Sequence, residues 1–481
     1  DLHRRRHSFP TRRSSDLFTV VAQDVGGSFI PGVPGPGSLY FSSIPLYADL
    51  DAFEAVTAIR KGMVILVETA PFTGLFRWDD TDTTTTADGG TVLVSALGRR
   101  WKRVFDGPVH AWWFATPALA VTSVAARNAD LVFDRQTFAV SANLTMPGGR
   151  NYIFEPGAVL SPASGVTVTI RGRVEAPLTQ IFSGAGTVTG IRNVYPQWFG
   201  AASDGTGDQA AALRRAFACV EASLLSDGPE QVVNLVGTFR ILQTVSCYPS
   251  ASCNLKIRGG GSLFGGGIIT AGNGMFIGNQ ALWLRGQTIG DIAAITEFEL
   301  SGFHIGLEAG SPCSIGLQIG EAGTNLQSLS KNKVDRVFVS GFLISGYQTN
   351  ARLIDYTDCG FWATQSGGTA FRMSLDSLLF TGDTIFDKVQ FVGPTDYTGN
   401  TFSAANAQVY TGLGFGDMKG VRFSACTFYY GAQTELNAGN GAVLGDFGKE
   451  ACFVGVNVLV HEGEQACLHA LDFVGVVEIH E

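Results

Sequence analysis

A short strand that runs into a tight corner returns along the second half of this chain, and that recurrence restricts the fold more than any other feature. "TEFELSGF" (Thr296 to Phe303) is followed by "DRVFVSGF" (Asp335 to Phe342), and more loosely by "DCGFW" (Asp358 to Trp362), "DKVQFVG" (Asp387 to Gly393) and "SACTFYYG" (Ser424 to Gly431). The starts lie 39, 23, 29 and 37 residues apart, so a constant strand alternates with loops of variable length. A unit this small leaves its apolar face open, and only stacking on the next unit buries it. Upstream, short apolar strands around Tyr152 to Phe154, Ala158 to Leu160 and Val166 to Ile170 are separated by irregular Gly, Pro and Asn corners rather than by two-residue hairpin turns. The expected fold is therefore all-β, a right-handed parallel β-helix in which coil is piled on coil.

Composition agrees with this. Glycine (61 residues) far outnumbers proline (17), and phenylalanine (34) dominates the aromatics, as many corners and stacked rings require. Asp plus Glu (42) exceeds Lys plus Arg (33), giving a net charge of −9, which argues against a phosphate-backbone footprint and so against nucleic acid as a partner. The first seventeen residues, "DLHRRRHSFPTRRSSDL", oppose that balance with five arginines against two aspartates. A basic arm for nucleic acid or membrane is one reading, but they lack an apolar h-region and an initiating Met and resemble translated adapter sequence from an environmental assembly, so a non-native origin is expected. No run of eighteen apolar residues predicts a membrane crossing. The eight cysteines are scattered without a C-x-x-C pair and read as small buried hydrophobes, with a Cys247 to Cys253 bridge as the alternative for that pair.

The chain divides accordingly. After residues 1–17, a linker or arm covers 18–44 and includes "PGVPGPG", which is too short for a collagen helix. Residues 45–110 read as a small α+β module, with a helix marked by Phe53, Val56 and Ile59, a strand from Met63 to Val67, and further strands beyond a polar loop. A β-rich neck or first coils occupies 111–197, and the β-helix proper runs from 198 to 481, where "LDFVGVVEIHE" stops in what reads as a coil, so truncation is expected there.

At Trp198 to Phe217, "WFGAASDGTGDQAAALRRAF", an aromatic strand end passes through a Gly/Asp turn into a helix whose Leu213, Phe217, Val220 and Leu224 form one apolar face. Asp208 or Thr206 is placed to cap that helix, while Gly205 and Gly207 permit positive φ in the turn. An amphipathic helix ahead of the first full coil closes the end of a solenoid. The junction is similar to the opening motif W-F-G-A-x-x-D-G-x-x-D-D-T-x-A-I/L of the pectate-lyase-like superfamily of right-handed β-helices, in particular its bacteriophage tailspike and tail-fibre branch. Trp198, Phe199, Gly200, Ala201, Asp204, Gly205, Asp208, Ala212 and Leu213 match it, and Gln209 and Ala210 depart from it. "KRVFDGPVHAWWFA" (Lys102 to Ala115) resembles a decayed earlier copy. The resemblance implies a virion tail protein that attaches through its N-terminal module to phage tail or baseplate proteins. It also implies a homotrimer that binds, and in many members depolymerises, a bacterial surface glycan such as capsule or lipopolysaccharide. Under the same resemblance the junction motif is structural.

Cleavage of a glycosidic bond needs two carboxyls, one protonated and one ionised. "LIDYTDCGFW" is the densest candidate, with Asp355 and Asp358 as acids, Tyr356 between them and Trp362 as a platform for a sugar ring. Glu297 and Glu299 on the preceding coil and Asp387 on the following one complete the candidate set, although acids also commonly end strands and occupy corners. The N-x-D, D-D, H-G and R-x-K pattern of polygalacturonases is absent, and Lys331, Lys333 and Arg336 read as a solvated cluster more readily than as the basic centre of a lyase. His304, His461 and His469 have no metal-ligand spacing, and "GGGSLFGGG" is followed by strand rather than helix, so no metal or cofactor is expected. Two other readings stay open: a non-catalytic structural fibre or receptor-binding protein, and a secreted bacterial enzyme of the same fold.

Overall fold

A computed structural model describes residues 41–44, 50–51, 54, 59, 61–68, 73–221, 231–247, 254–260, 267–285, 288–289, 292–293, 297–321, 332–349, 351, 354–374, 384–394 and 400–405, and beyond these the segments 422–424, 426–429, 436–438, 452–454 and 457–458. The short strands alternate between buried and partly exposed side chains, as in Asn151–Phe154 and Thr167–Ile170, so each has one apolar face. Among the described residues the main body has three parallel sheets of nine, eight and seven strands. One coil takes a strand from each, as with Gln231–Leu235, Thr238–Ile241 and Gln243–Cys247, and the next coil repeats the order with Asn254–Gly259, Gly267–Ala271 and Ile277–Leu284. This is the parallel β-helix expected from the sequence, and a strand–crossover–parallel-strand path of this kind takes the right-handed course.

A shorter stack precedes it. Leu131–Phe133, Thr137–Val140 and Leu144–Met146 pair in parallel with Asn151–Phe154, Val159–Pro162 and Thr167–Ile170. Each stack is introduced by the same sequence of elements: a two-residue strand, a 3-10 turn (Ala111–Trp113, then Pro196–Phe199) and a helix, α1 (Pro117–Arg127) and α2 (Ala210–Glu221). Helix α2 buries Leu213, Phe217 and Val220 and packs against strand Thr187–Thr189 of the shorter stack and against Gln231–Leu235 and Gln243–Cys247 of the main one. One continuous apolar core therefore runs from Val109 to Cys426.

Inside the main stack, register places like on like. The column Val233, Ile257, Leu300, Val334 is aliphatic and continues as Tyr356 and Phe386, and Ile269, Ile305 and Val339 continue as Phe361 and Phe391. At the boundary, Leu317 is followed by Gly346 and then Phe371. A Cβ at Gly346 would lie 2.4 Å from the Phe371 ring and 2.7 Å from that of Phe361, so the missing side chain is what admits the first aromatic layer. Polar groups in the same layer are paired: fully buried Gln348 donates from Nε2 to the Ala351 carbonyl and Thr384 Oγ1, each at 2.9 Å, and its Oε1 accepts the Tyr356 hydroxyl at 3.0 Å.

Register also corrects the repeat alignment. Ser301 rather than Thr296 stands beside Asp335, and the series continues through Thr357, Asp387 and Ser424. Gly302, Arg336, Asp358 and Lys388 then occupy one corner on successive coils, all in the left-handed region, with φ of 66°, 52°, 51° and 55°. The next position inward is filled by Phe303, Val337, Cys359 and Val389, all buried. Cys247, Cys219, Cys313 and Cys426 are likewise buried, while Cys253 lies outside the described residues.

The N-terminal module is a separate sheet. Val64–Val67, Gly74–Asp79, Arg100–Arg103 and Val92–Val94 are neighbours and antiparallel, with Phe41–Ile44 parallel at one edge. A buried joint ties it to the solenoid. The Arg103 guanidinium lies 4.6 Å from the Phe76 ring and 4.4 Å from that of Trp113, and it donates to the Gly90 and Thr73 carbonyls. Burial pushes its pKa down to about 10, which leaves it charged at neutral pH. Asp88 accepts from three successive backbone N–H groups (Gly90, Thr91 and Val92) and from Ser123 on α1.

Candidate functional site

The Trp198 to Phe217 junction is accounted for by structure. Trp198 is buried, its indole N–H donates to the Pro177 carbonyl at 3.0 Å, and its own carbonyl accepts from Ile181 and Phe182. Asp208 accepts from the Ala210 N–H at 3.1 Å, from the Leu242 N–H at 3.0 Å and from Gln243 Nε2 at 2.9 Å, so it caps α2 and anchors the helix to the first main coil. Burial would raise its pKa, but these donors outweigh burial and hold the carboxyl below its ordinary value. Gln209, one departure from the motif, accepts from the Ala202 N–H and donates to the Thr206 carbonyl, and so closes the turn with an amide.

Of the candidate acids, Asp358 and Asp387 meet at one corner, and Asp355 stands further back on the strand that leads into it. Asp355 and Asp387 project from the outward face of adjacent strands of the nine-stranded sheet, two residues out of register. With a rise of about 3.3 Å per residue and strands about 4.8 Å apart, their Cα atoms are roughly 8 Å from each other. Asp358 occupies the exposed corner beside them, and its N–H donates to the Asp387 carbonyl at 3.0 Å. Immediately past the corner, on the eight-stranded sheet, Trp362 is 38 % exposed and meets the Phe338 ring edge-on at 6.3 Å. Phe338 lies over Gly360, where a Cβ would fall 2.5 Å from the ring. His304, on the coil before, is bonded from Nε2 to Ser340 Oγ at 2.9 Å, and burial pushes its pKa down. Acids and an aromatic strip thus flank a single edge of the solenoid. Phe338 is not among the residues the sequence points to, because its place next to Gly360 in register and two residues from Trp362 arises only from coil stacking.

The other candidates are placed differently. Tyr356 is 1 % exposed, stacks on Phe386 at 4.8 Å and points into the lumen, so it is a core ring rather than a sugar platform, and burial pushes its hydroxyl pKa well up. Strand alternation explains this: with Ile354 inside, Asp355 faces out and Tyr356 faces in. Glu299 sits two coils from Asp355 with Lys333 between them in register, and it is ion-paired to Lys256 at 2.9 Å and Arg258 at 3.5 Å. Burial acts to raise its pKa, but the two cations prevail and hold it below the ordinary 4.5. Glu297 is placed through its backbone alone, opposite Asn254. Among the described residues no group of three or more His, Cys, Asp or Glu side chains is arranged to hold a metal ion, and no helix is long and apolar enough to cross a membrane.

The lowered pKa of Glu299 has a testable sign. A carboxyl with a depressed folded-state pKa adds stability above its unfolded value near 4.5, and that stability is lost as pH falls through the folded value. Urea midpoints measured from pH 6 to pH 3 should fall less steeply for Glu299→Gln than for the parent below pH 4.5. Parallel curves would mean that the ion pair does not contribute to folding.

Residues 47–106 match the model of the phage tail protein small four-stranded β-sheet domain, and they contain the four antiparallel strands described above. No curated protein matches the chain. Among solved structures it is similar to the Acinetobacter baumannii phage AM24 tailspike protein (12% identity, TM-score 0.34, 83% of this chain and 63% of that one). It is also similar to ORF18 of Geobacillus virus E2 (12% identity, TM-score 0.37, 88% and 66%) and to gp49 of A. baumannii bacteriophage Fri1, a tailspike and capsular polysaccharide depolymerase (13% identity, TM-score 0.24, 88% and 62%). The chain spans less than two thirds of the length of each of these proteins.

Proposed function

We propose that this chain is a phage tailspike-type protein that binds bacterial surface polysaccharide on the outside of its β-helix and cleaves it at the corner formed by Asp355, Asp358 and Asp387. One observation carries the reading: a sheet matching a phage-tail domain is joined, through a buried interface at Arg103, to a parallel β-helix that brings three acids and exposed Trp362 to one edge. In this reading the N-terminal sheet meets other tail proteins, three copies assemble, and the protein resides in the virion tail.

An inverting hydrolase holds its carboxyls about 6.5 to 9.5 Å apart, with a water between one of them and the anomeric carbon, and side chains on Cα atoms roughly 8 Å apart can reach that separation. Trp362 and Phe338 offer apolar faces on which a pyranose ring packs. Incubating the protein with capsule or lipopolysaccharide from candidate hosts should release new reducing ends, with inversion at the anomeric carbon seen by NMR. Asp387→Asn and Asp355→Asn should each lower the rate at least about 100-fold with an unchanged melting temperature. Full activity in both variants, or an unsaturated-uronate absorbance in place of reducing ends, would remove the paired-carboxylate mechanism.

A non-catalytic receptor-binding fibre is favoured by one feature. Asp358 belongs to a positional series with Gly302, Arg336 and Lys388, and a corner acid of that kind needs no chemical role. Binding without cleavage on every glycan would decide for this reading.

A further inference from the structure

The arginines of the neck have no part in the corner just described. Where the shorter stack gives way to the main one, the sheet is interrupted: its last strand is Arg173–Glu175, and the nine-stranded sheet begins afresh at Asn193–Val194. The step leaves a groove with a volume of about 890 Å³, lined by four arginines from three successive coils: Arg150, Arg171, Arg173 and Arg192. The local excess is two positive charges, four arginines against Asp130 and Glu175, in a chain whose net charge is −9.

The four are not equivalent. Arg150 donates to the Val124 and Ala125 carbonyls at the end of α1, and Arg173 pairs with Glu175 at 3.4 Å. Arg171 and Arg192 are exposed and, among the described residues, make no side-chain bond or ion pair. Half-buried Tyr195 lines the same groove, packed on Trp198 at 5.0 Å, and Asn193 adds an amide. Asp130 is already held by Asn151.

We infer that this groove is a second binding site, for an acidic saccharide. Two unpaired guanidinium forks match a carboxylate in bidentate fashion, and a tyrosine face with neighbouring amide and carboxylate groups suits the ring and hydroxyls of the same sugar. The volume is that of a site for an organic ligand rather than for a bare anion. Glu175 and Asp130 keep acceptor capacity beyond their bonds to Arg173 and Asn151, which sugar hydroxyls can use. The choice of a saccharide rests on the glycan-binding reading above, but the site lies on other coils and does not use the corner carboxylates.

The test is equilibrium binding of the full chain to fluorescently labelled oligogalacturonate, with inorganic phosphate and neutral dextran as competitors. Oligogalacturonate should bind, binding should weaken with added salt, and R171E/R192E should weaken it at least 10-fold. R171K/R192K should fall between, because charge is kept and the fork is lost. Both pairs are at exposed positions and should leave the melting temperature unchanged. D355N/D387N should bind oligogalacturonate as the parent does even if glycan cleavage is lost, which separates failure of the corner from failure of the groove. Unaltered affinity in R171E/R192E, displacement by phosphate at equal concentration, or equal binding of dextran would each overturn the inference.

Discussion

Gly346→Leu is expected to destabilise the solenoid by at least about 3 kcal/mol, because the new side chain would be driven into the Phe371 and Phe361 rings with no room to retreat. Phe371→Ala should cost about 3–5 kcal/mol by opening a cavity among Tyr356, Phe361 and Phe386, whose rings lie 5.3, 4.8 and 5.1 Å from it. The two changes are complementary in volume, so the double variant G346L/F371A should recover about 1–3 kcal/mol relative to the sum of the single losses. Urea unfolding followed by far-ultraviolet circular dichroism measures all three. Simple additivity would show that residues 346 and 371 are not stacked neighbours and that the register described for these coils is wrong.

The joint at Arg103 gives the second large effect. Arg103→Ala removes a cation held between two rings and leaves the Gly90 and Thr73 carbonyls without their donor, a loss of about 2–4 kcal/mol. Calorimetry should then show two transitions in place of one, with the N-terminal sheet melting first. Arg103→Lys should recover little, since an ammonium cannot lie flat between Phe76 and Trp113 while reaching both carbonyls. A single transition shifted as a whole would mean that Asp88 and Ser123 hold the module on their own.

The corner residues made the fold readable because a solenoid repeats its backbone wherever it repeats its turn, and no other arrangement buries strands so short. The coil register was harder to read: Ser301 aligns with Asp335 through backbone pairing, whereas the eye matches the "SGF" of two different corners. For the site, Asp355, Asp358 and Asp387 could be grouped from their place in the repeat, but the ion pairs that engage Glu299 come from a coil some forty residues away and leave no local mark. The inward course of Tyr356 was available from alternation alone, since its neighbours Asp355 and Thr357 share the opposite face. The neck arginines also left a trace, in "GRN" at 149–151, "GRV" at 172–174 and "IRN" at 191–193, which gains meaning only once those coils are stacked.

Gln348 has a consequence for how such a molecule finds its native pairing. Sliding one coil by two residues along its neighbour would keep greasy side chains facing inward, so hydrophobicity by itself discriminates poorly between the native threading and a shifted one. The buried amide does discriminate, because after such a slip it would face neither the tyrosine hydroxyl nor the threonine, and an orphaned amide in that dry interior costs about 1–3 kcal/mol. A single polar side chain thereby pins the native threading of these coils against a shifted one.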